Sequence, residues 1–274
     1  MKKKLSNIVI ILIFVAGLSL LVYPFVANKW NSYRQDRLIS NYEKIVSQKS
    51  NSIDYDAEMK KAKAYNDALA PHILPDSFIK AENQKSEDKS YTSALNLAGD
   101  GIMAIVEIPK IDVKLPIYHS TNNGVLQKGV GHMEGSSLPI GGTSTHAVLS
   151  GHRGLPNSKL FTDLDKMKVG DIFYISVLGD TLAYEVDQIK TVLPSQTDDI
   201  EIVDGEDYVT LVTCTPYSVN THRLLVRGKR TDYKEAIKKT PNEVNNGIHI
   251  PYEVKLAFLS FIIIGIIIFI WRRR

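Results

Sequence analysis

Two stretches of this chain read as membrane spans, and they dictate where everything else can lie. Residues 8–27 form a run of about 20 mostly apolar residues, the length a helix needs to cross a ~30 Å hydrocarbon core. Lys2, Lys3 and Lys4 precede it. Residues 256–271 are a second apolar run, which reaches span length when extended back to Tyr252, and Arg272, Arg273 and Arg274 follow it. Basic flanks stay in the cytoplasm, so both tips are expected inside and the middle of the chain outside. At the first run that signal is split, because Lys29, Arg34 and Arg37 lie on the opposite flank. A cleaved signal peptide is the competing reading there. The length of the run, and the lack of a clear A-x-A site after it, favour a retained anchor.

The chain of 274 residues is 44% hydrophobic and 23% charged, enough for one large core or two small ones and too apolar for wholesale disorder. Lys and Arg (33) nearly balance Asp and Glu (30), which gives no electrostatic footprint for nucleic-acid binding. Neither a G-x-x-x-x-G-K-[ST] nor an H-E-x-x-H motif occurs. The single cysteine, Cys214, excludes an internal disulfide, a Cys-rich zinc site and a Cys-ligated iron–sulfur cluster. No metal site and no cofactor is expected. A lone thiol outside the cell is exposed to oxidation, and a chain that keeps one has a use for it.

Between the spans, residues 30–69 are rich in helix formers. Leu38, Tyr42, Ile45 and Val46, then Met59, Ala62, Tyr65 and Leu69, fall at helical spacing, and Asn51-Ser52 separates two helices. Residues 70–100 read as a long loop. From Gly101 the texture becomes β: residues 102–108, 113–118, 147–150, 172–177, 182–192, 208–213 and 224–227 are short apolar or alternating runs punctuated by Gly, Pro, Asn and Asp. With one brief helix near 124–128, this pattern predicts seven or eight strands in a barrel or sandwich. Helix-sized segments do not alternate with the strands, which argues against a doubly wound fold.

Cys214 ends the β run from Tyr208, and Thr215-Pro216 breaks it. The next run begins near Arg223. If the two pair as a hairpin, Cys214 and Arg223 face each other at the loop mouth, where a guanidinium would favour thiolate and bind a developing oxyanion. The plainer alternative is a small buried hydrophobe beside a solvated arginine. A cysteine nucleophile also needs a histidine. Of the seven, His152 is the best placed, at a strand end in Ser150-Gly151-His152-Arg153-Gly154, where two glycines permit a sharp turn. His119, His132 and His146 flank strands and read as polar edge residues, and His222 as a loop residue. His72 lies in the long loop and His249 beside the second span.

These residues also match a family. Thr210-Leu211-Val212-Thr213-Cys214 resembles the T-L-x-T-C motif of sortases, cysteine transpeptidases of the Gram-positive surface, and Leu149-Ser150-Gly151-His152 resembles the segment that carries their histidine. Cys214 follows His152 by 62 residues and Arg223 follows Cys214 by nine. The stretch from Thr215 to Gly228, with Gly129-Val-Gly-His-Met-Glu-Gly-Ser136 and Val169-Gly-Asp-Ile-Phe-Tyr174, resembles the class C, pilus-assembling branch. The resemblance runs from about Gly101 to Arg230. It implies a mostly β fold: the eight-stranded sortase β-barrel, with N-terminal helices and a lid loop, flanked by two transmembrane helices. It implies that Cys214 attacks the Thr–Gly bond of an LPXTG-type sorting signal, that His152 is general acid and base, and that Arg223 positions substrate and steadies the oxyanion. The acceptor would be a lysine amine of another pilin subunit. Class C members also carry a lid with an Asp-Pro-aromatic motif. Here the stretch reads Pro75-Asp76-Ser77-Phe78, so Asp76 is expected to pair with Arg223 and Phe78 to cover Cys214, on a backbone that Ser77 fixes less firmly than proline would.

The implied layout is a cytoplasmic tip and anchor (1–29), a helical segment with the lid (30–100), the catalytic barrel (101–231), a linker (232–251), and a second span with a basic tail (252–274). The expected partners are pilin subunits with C-terminal sorting signals and the cell membrane. A wall-anchoring sortase, which would accept a peptidoglycan amine instead, is the alternative. A papain-like hydrolase would place its cysteine at a helix start and its histidine later in the chain, the reverse of what is found. An adhesin would need no thiol.

Overall fold

The computed structural model describes residues 2–47, 53–69, 76, 78 and 88–240. Ser77, His72, His249, the second apolar run and the basic tail lie outside the described residues. Helix α1 (Lys2–Ser47) runs unbroken from the apolar run into the polar segment, so the expected boundary at 29/30 falls inside one helix. Its apolar part has a mean hydropathy of 2.7 and none of it is buried, and among the described residues it is the one helix long and apolar enough to cross a membrane. Further along, Ile39 and Tyr42 pack on Ile102, Ile105, Tyr118 and Val125. Helix α2 (Tyr55–Asp67) starts at Asp54, whose carboxylate accepts from Ala57 N at 2.9 Å, and turns Ala62 and Tyr65 inward.

The stretch 70–100, expected as loop, contains a third helix, α3 (Lys89–Ser93), capped by Asp88. One turn is too short to leave a periodic signature. Its purpose in the fold is Tyr91, which is fully buried and whose hydroxyl accepts from Ser120 N at 2.8 Å.

The β domain is a closed barrel of eight strands: β1 (Ile102–Ile108), β2 (Val113–His119), β3 (Val130–His132), β4 (Thr145–Ser150), β5 (Ile172–Val177), β6 (Asp180–Val192), β7 (Asp207–Thr215) and β8 (His222–Thr231). Their order around the wall is β1-β2-β3-β4-β7-β8-β6-β5. Two neighbour pairs are parallel, β2 with β3 and β4 with β7. A one-turn helix, α4 (Asn123–Leu126), precedes β3. A helix of seven residues, α5 (Tyr233–Lys239), follows β8, in the stretch read as linker. Met103, Ile117, Leu149, Phe173, Tyr184, Leu211 and Val226 fill the interior and are essentially inaccessible to solvent. Phe173 and Tyr184 stack there with centroids 5.6 Å apart. Gly228 gives them room, since a Cβ at that position would stand 2.5 Å from the Phe173 ring.

Strand β7 is buried from Tyr208 to Cys214 without alternation. Val209 and Leu211 face the barrel core, while Val212 faces an outer cluster of Met133, Val148, Ile200 and Leu225. A strand covered on both faces has no period-2 pattern to show, and the apolar Tyr208–Thr213 run reads accordingly.

Candidate active site

Strands β7 and β8 pair antiparallel, and their register sets Cys214 directly opposite Arg223. Both are 8% exposed. The guanidinium makes four hydrogen bonds. Nη1 donates to the carbonyls of Asn220 (3.1 Å) and His222 (3.0 Å), which fixes the fork against its own turn. Nε and Nη2 donate to the two carboxylate oxygens of Asp76, at 2.8 and 2.6 Å. This bidentate pair joins residues 147 apart in sequence, with side chains only 10% and 6% exposed.

His152 reaches the same place by the parallel pairing of β4 with β7. Ser150 is in register with Val212, and His152 follows two residues beyond that last pair, at the end of the barrel where Cys214 closes β7. Three bonds hold the chain there. Gly151 N donates to Val212 O at 3.0 Å, Thr213 Oγ1 donates to Gly151 O at 2.7 Å, and Phe161 N donates to His152 O at 3.1 Å. Gly151 must be glycine because a Cβ would lie 2.7 Å from the Phe161 ring.

Phe78 caps the arrangement. Its ring centroid is 5.7 Å from that of His152 and 5.1 Å from the Arg223 guanidinium carbon. The ring also packs against the apolar cluster formed by Met133, Val148, Ile200, Val212 and Leu225. A small space of about 20 Å³, room for roughly one water, lies among Asp76, Met133, Val192, Ile200, Arg223 and Leu225. A larger hollow of about 780 Å³ lies between α1, α2 and the β5–β6 turn, and none of the five candidate residues lines it.

All five residues singled out in the sequence therefore converge on one spot. Their electrostatics are those of a resting site. Burial pushes the Cys214 thiol above its ordinary range, the Arg223 charge draws it back, and the Asp76 carboxylate raises it again. Burial alone lowers His152. In this arrangement the groups at neutral pH are a thiol and a neutral imidazole.

The other histidines belong to the scaffold. His132 and His146, read as strand-edge residues, are interior, at 0% and 1% exposure. His146 Nδ1 donates to Glu201 O at 2.7 Å and its Nε2 accepts from Thr210 Oγ1 at 2.7 Å, which ties the β6–β7 loop to the barrel wall. His132 Nε2 donates to Ser137 O at 2.8 Å while Nδ1 accepts from Tyr91 Oη at 3.0 Å. Burial lowers both to about 4. Short neighbouring strands hid this, because β3 has only three residues. Sequence reasoning also missed Thr213 as the bracket for His152, and Met133 and Ile200 as the apolar floor under Phe78. Thr213 sits inside the quoted motif and could have been found as a buried hydroxyl beside the cysteine. Among the described residues, no three His, Cys, Asp or Glu side chains are grouped to hold a metal ion.

Known proteins resemble this arrangement closely. The family profile of the sortase domain matches residues 106–231. The crystal structure of sortase C-1 from Streptococcus pneumoniae is 47% identical, covers 72% of this chain and 99% of its own, and superposes with a TM-score of 0.66. The pilus-related sortase C of Group B Streptococcus is 44% identical over 71% of this chain and 97% of its own, with a TM-score of 0.65. Sortase A of Listeria monocytogenes is 24% identical over 241 residues, 87% of this chain and 97% of that one.

Proposed function

This chain belongs to the sortase family, and we propose that it is a membrane-anchored pilin polymerase whose reaction runs on Cys214, His152 and Arg223 under a lid formed by Asp76 and Phe78. The activity is that of a cysteine transpeptidase. The pilin role follows from the similarity to a sortase C described as pilus-related. The observation that carries the site assignment is the convergence of a strand-end thiol, a facing guanidinium and a histidine just beyond the end of the adjacent parallel strand.

In this reading the sorting signal first displaces the lid. Asp76 leaves Arg223 and Phe78 leaves the apolar floor, which becomes available to the peptide. The Cys214 proton passes to His152, and Sγ attacks the threonine carbonyl carbon of the Thr–Gly bond. Arg223, released from Asp76, donates to the tetrahedral oxyanion. Collapse breaks the C–N bond, the glycine nitrogen takes the proton from His152, and the threonyl thioester remains. The lysine amine of the next subunit then gives its proton to His152 as its nitrogen attacks the thioester. Cys214 leaves as thiolate and regains its proton, and an isopeptide bond has formed. Acyl potential is conserved from peptide to thioester to isopeptide, so no ATP enters. Helix α1 provides membrane attachment. The barrel is placed outside the cell, with both tips and the second span arranged as the basic flanks indicate.

The test is to incubate the full chain, in detergent micelles, with LPXTG-bearing pilin and run denaturing gels beside Cys214→Ala. A covalent ladder that disappears in the variant is expected. Cleavage without a ladder, in the presence of a competent acceptor pilin, would transfer the assignment to wall anchoring on a peptidoglycan amine.

A further inference from the structure

We propose that the barrel stands on α1 as on a rigid post and presses the loop after His152 against the lipid headgroups, so that this face of the protein is a membrane-contact surface. The proposal rests on the reading of residues 8–27 as a span. It goes further by fixing the height of the loop after His152 above the bilayer.

The helix is continuous from Lys2 to Ser47, and its one internal proline, Pro24, lies within the apolar run. Any bend it introduces therefore falls below the interface, and the helix from Phe25 onward has no such break. At 1.5 Å per residue, Asn31 lies ~6 Å beyond Ala27, Gln35 ~12 Å and Tyr42 ~22 Å. Each of these levels is bonded to the barrel domain. Asn31 Nδ2 donates to Asn157 O at 2.8 Å, in the loop that follows His152. Gln35 Nε2 donates to Lys128 O at 3.1 Å. Tyr42 Oη donates to Met103 O at 3.1 Å and accepts from Leu178 N at 3.2 Å. Three attachments along one axis prevent the barrel from sliding along the helix or turning about it.

The headgroup layer extends roughly 5–7 Å beyond the hydrocarbon on each side. Asn157 then sits level with the headgroups, and the β5–β6 turn around Leu178 sits well clear of them. The surface chemistry at the lower level suits that depth. Trp30 and Tyr33 are 63% and 54% exposed with ring centroids 6.3 Å apart, the kind of amphipathic rings that settle at a membrane interface. Lys29, Arg34, Arg37 and Lys128 are exposed around them, with Asp36 the one acid interspersed on this stretch of helix. The net charge suits anionic headgroups.

The experiment uses the full chain carrying Cys214→Ala, reconstituted in vesicles of phosphatidylcholine and phosphatidylglycerol. Pro156→Cys, Lys128→Cys and Asp180→Cys supply single labelling sites, all on exposed residues. Each is tagged with a fluorophore and quenched by lipids bearing a nitroxide in the headgroup. Quenching should be several-fold stronger at 156 than at 180, with 128 between them. Seven extra helical residues after Ala27 raise the barrel by ~10 Å and should abolish the quenching at 156. Equal quenching at 156 and 180, or quenching at 156 that survives the insertion, would overturn the proposal if the chain resists alkaline carbonate extraction. A chain that carbonate washes off the vesicles overturns the span reading itself.

Discussion

Replacing Asp76 by alanine should make Cys214 more reactive. The carboxylate and Arg223 share two charge-assisted hydrogen bonds, 2.8 and 2.6 Å long, with both side chains nearly buried. Bonds of this kind contribute about 1.5–3 kcal/mol each. Taking the lower figure twice, the closed lid loses about 3 kcal/mol, a roughly hundredfold rise in the open-to-closed ratio at about 1.4 kcal/mol per decade. Phe78 resists full release, because its ring still packs on Met133, Ile200, Val212 and Leu225, worth about 1.5–3 kcal/mol. The charge change acts in the same direction. Asp76 raises the thiol and Arg223 lowers it, so removing the acid leaves the lowering charge unopposed while burial still pushes upward. The assay is alkylation of the sole cysteine by iodoacetamide, followed by mass spectrometry across pH. At pH 7 the rate should rise between ten- and a hundredfold, the midpoint of the pH profile should move down, and Asp76→Ala with Phe78→Ala should be faster still. A folded Asp76→Ala protein, judged by an unchanged near-ultraviolet dichroism spectrum, that alkylates at the parent rate with the parent midpoint would refute the gating role of this ion pair.

Three further outcomes follow from the same geometry. Thr213→Val removes the bond to Gly151 O and leaves that buried carbonyl unpaired, at a cost of about 1–3 kcal/mol; kcat for a sorting-signal peptide should fall more than KM rises, and an unchanged kcat would mean that Thr213 does not place His152. Arg223→Lys keeps a charge but loses the fork held by Asn220 and His222, so transpeptidation should drop on the order of a hundredfold while the thiol still alkylates; full activity in the variant would remove Arg223 from the oxyanion role. Stability should decline on acidification: His132 and His146 are held neutral down to about 4, below the ~6.5 of an unfolded chain, so between those values the unfolded state binds more protons and folding loses ground as pH falls. A Tm that is flat from pH 7 to pH 4.5, or that rises, would contradict this assignment.

The β runs, the hairpin facing of Cys214 and Arg223, and the helical faces of α1 and α2 were legible because each depends on local spacing. Tyr42, Ala62 and Tyr65 are inward where the 3.6 period puts them. The parallel ladder of β4 with β7 was not legible. Nothing in residues 145–150 announces a partner about 60 residues on, with two strands intervening, yet that ladder is what sets His152 beside Cys214. The family resemblance joined His152 to Cys214 by role, without the strand pairing that places them. Helix α3 and strand β3 escaped for a different reason: five and three residues are shorter than either period can register. Their placement depends on Tyr91 and His132, whose mutual hydrogen bond spans 41 residues and exists only once the barrel has closed.

With the barrel outside the cell, as proposed, the arrangement of Asp76, Phe78 and Arg223 answers the difficulty that a lone thiol raises there. Oxidants, like carbonyl carbons, react with thiolate far faster than with thiol. A permanently activated Cys214 would thus be consumed between encounters with substrate. In the proposed reaction, a substrate displaces a feature that holds the thiol protonated. Burial raises its pKa, and the Asp76 carboxylate both raises it further and occupies the guanidinium that would otherwise favour thiolate. Once the proposed lid leaves, Asp76 is gone and Arg223 faces the sulfur with its Nε and Nη2 donors free. Activation and access are then a single event. That coupling requires the acid and the ring to move together, and they are two residues apart on one strand of chain. A lid carrying only the ring would block access but leave Arg223 free to favour thiolate, and one carrying only the acid would occupy Arg223 and leave the sulfur open to small oxidants. It follows that Phe78→Ala alone should speed oxidation of Cys214 by hydrogen peroxide more than it shifts the thiol's titration midpoint, whereas Asp76→Asn should do the reverse.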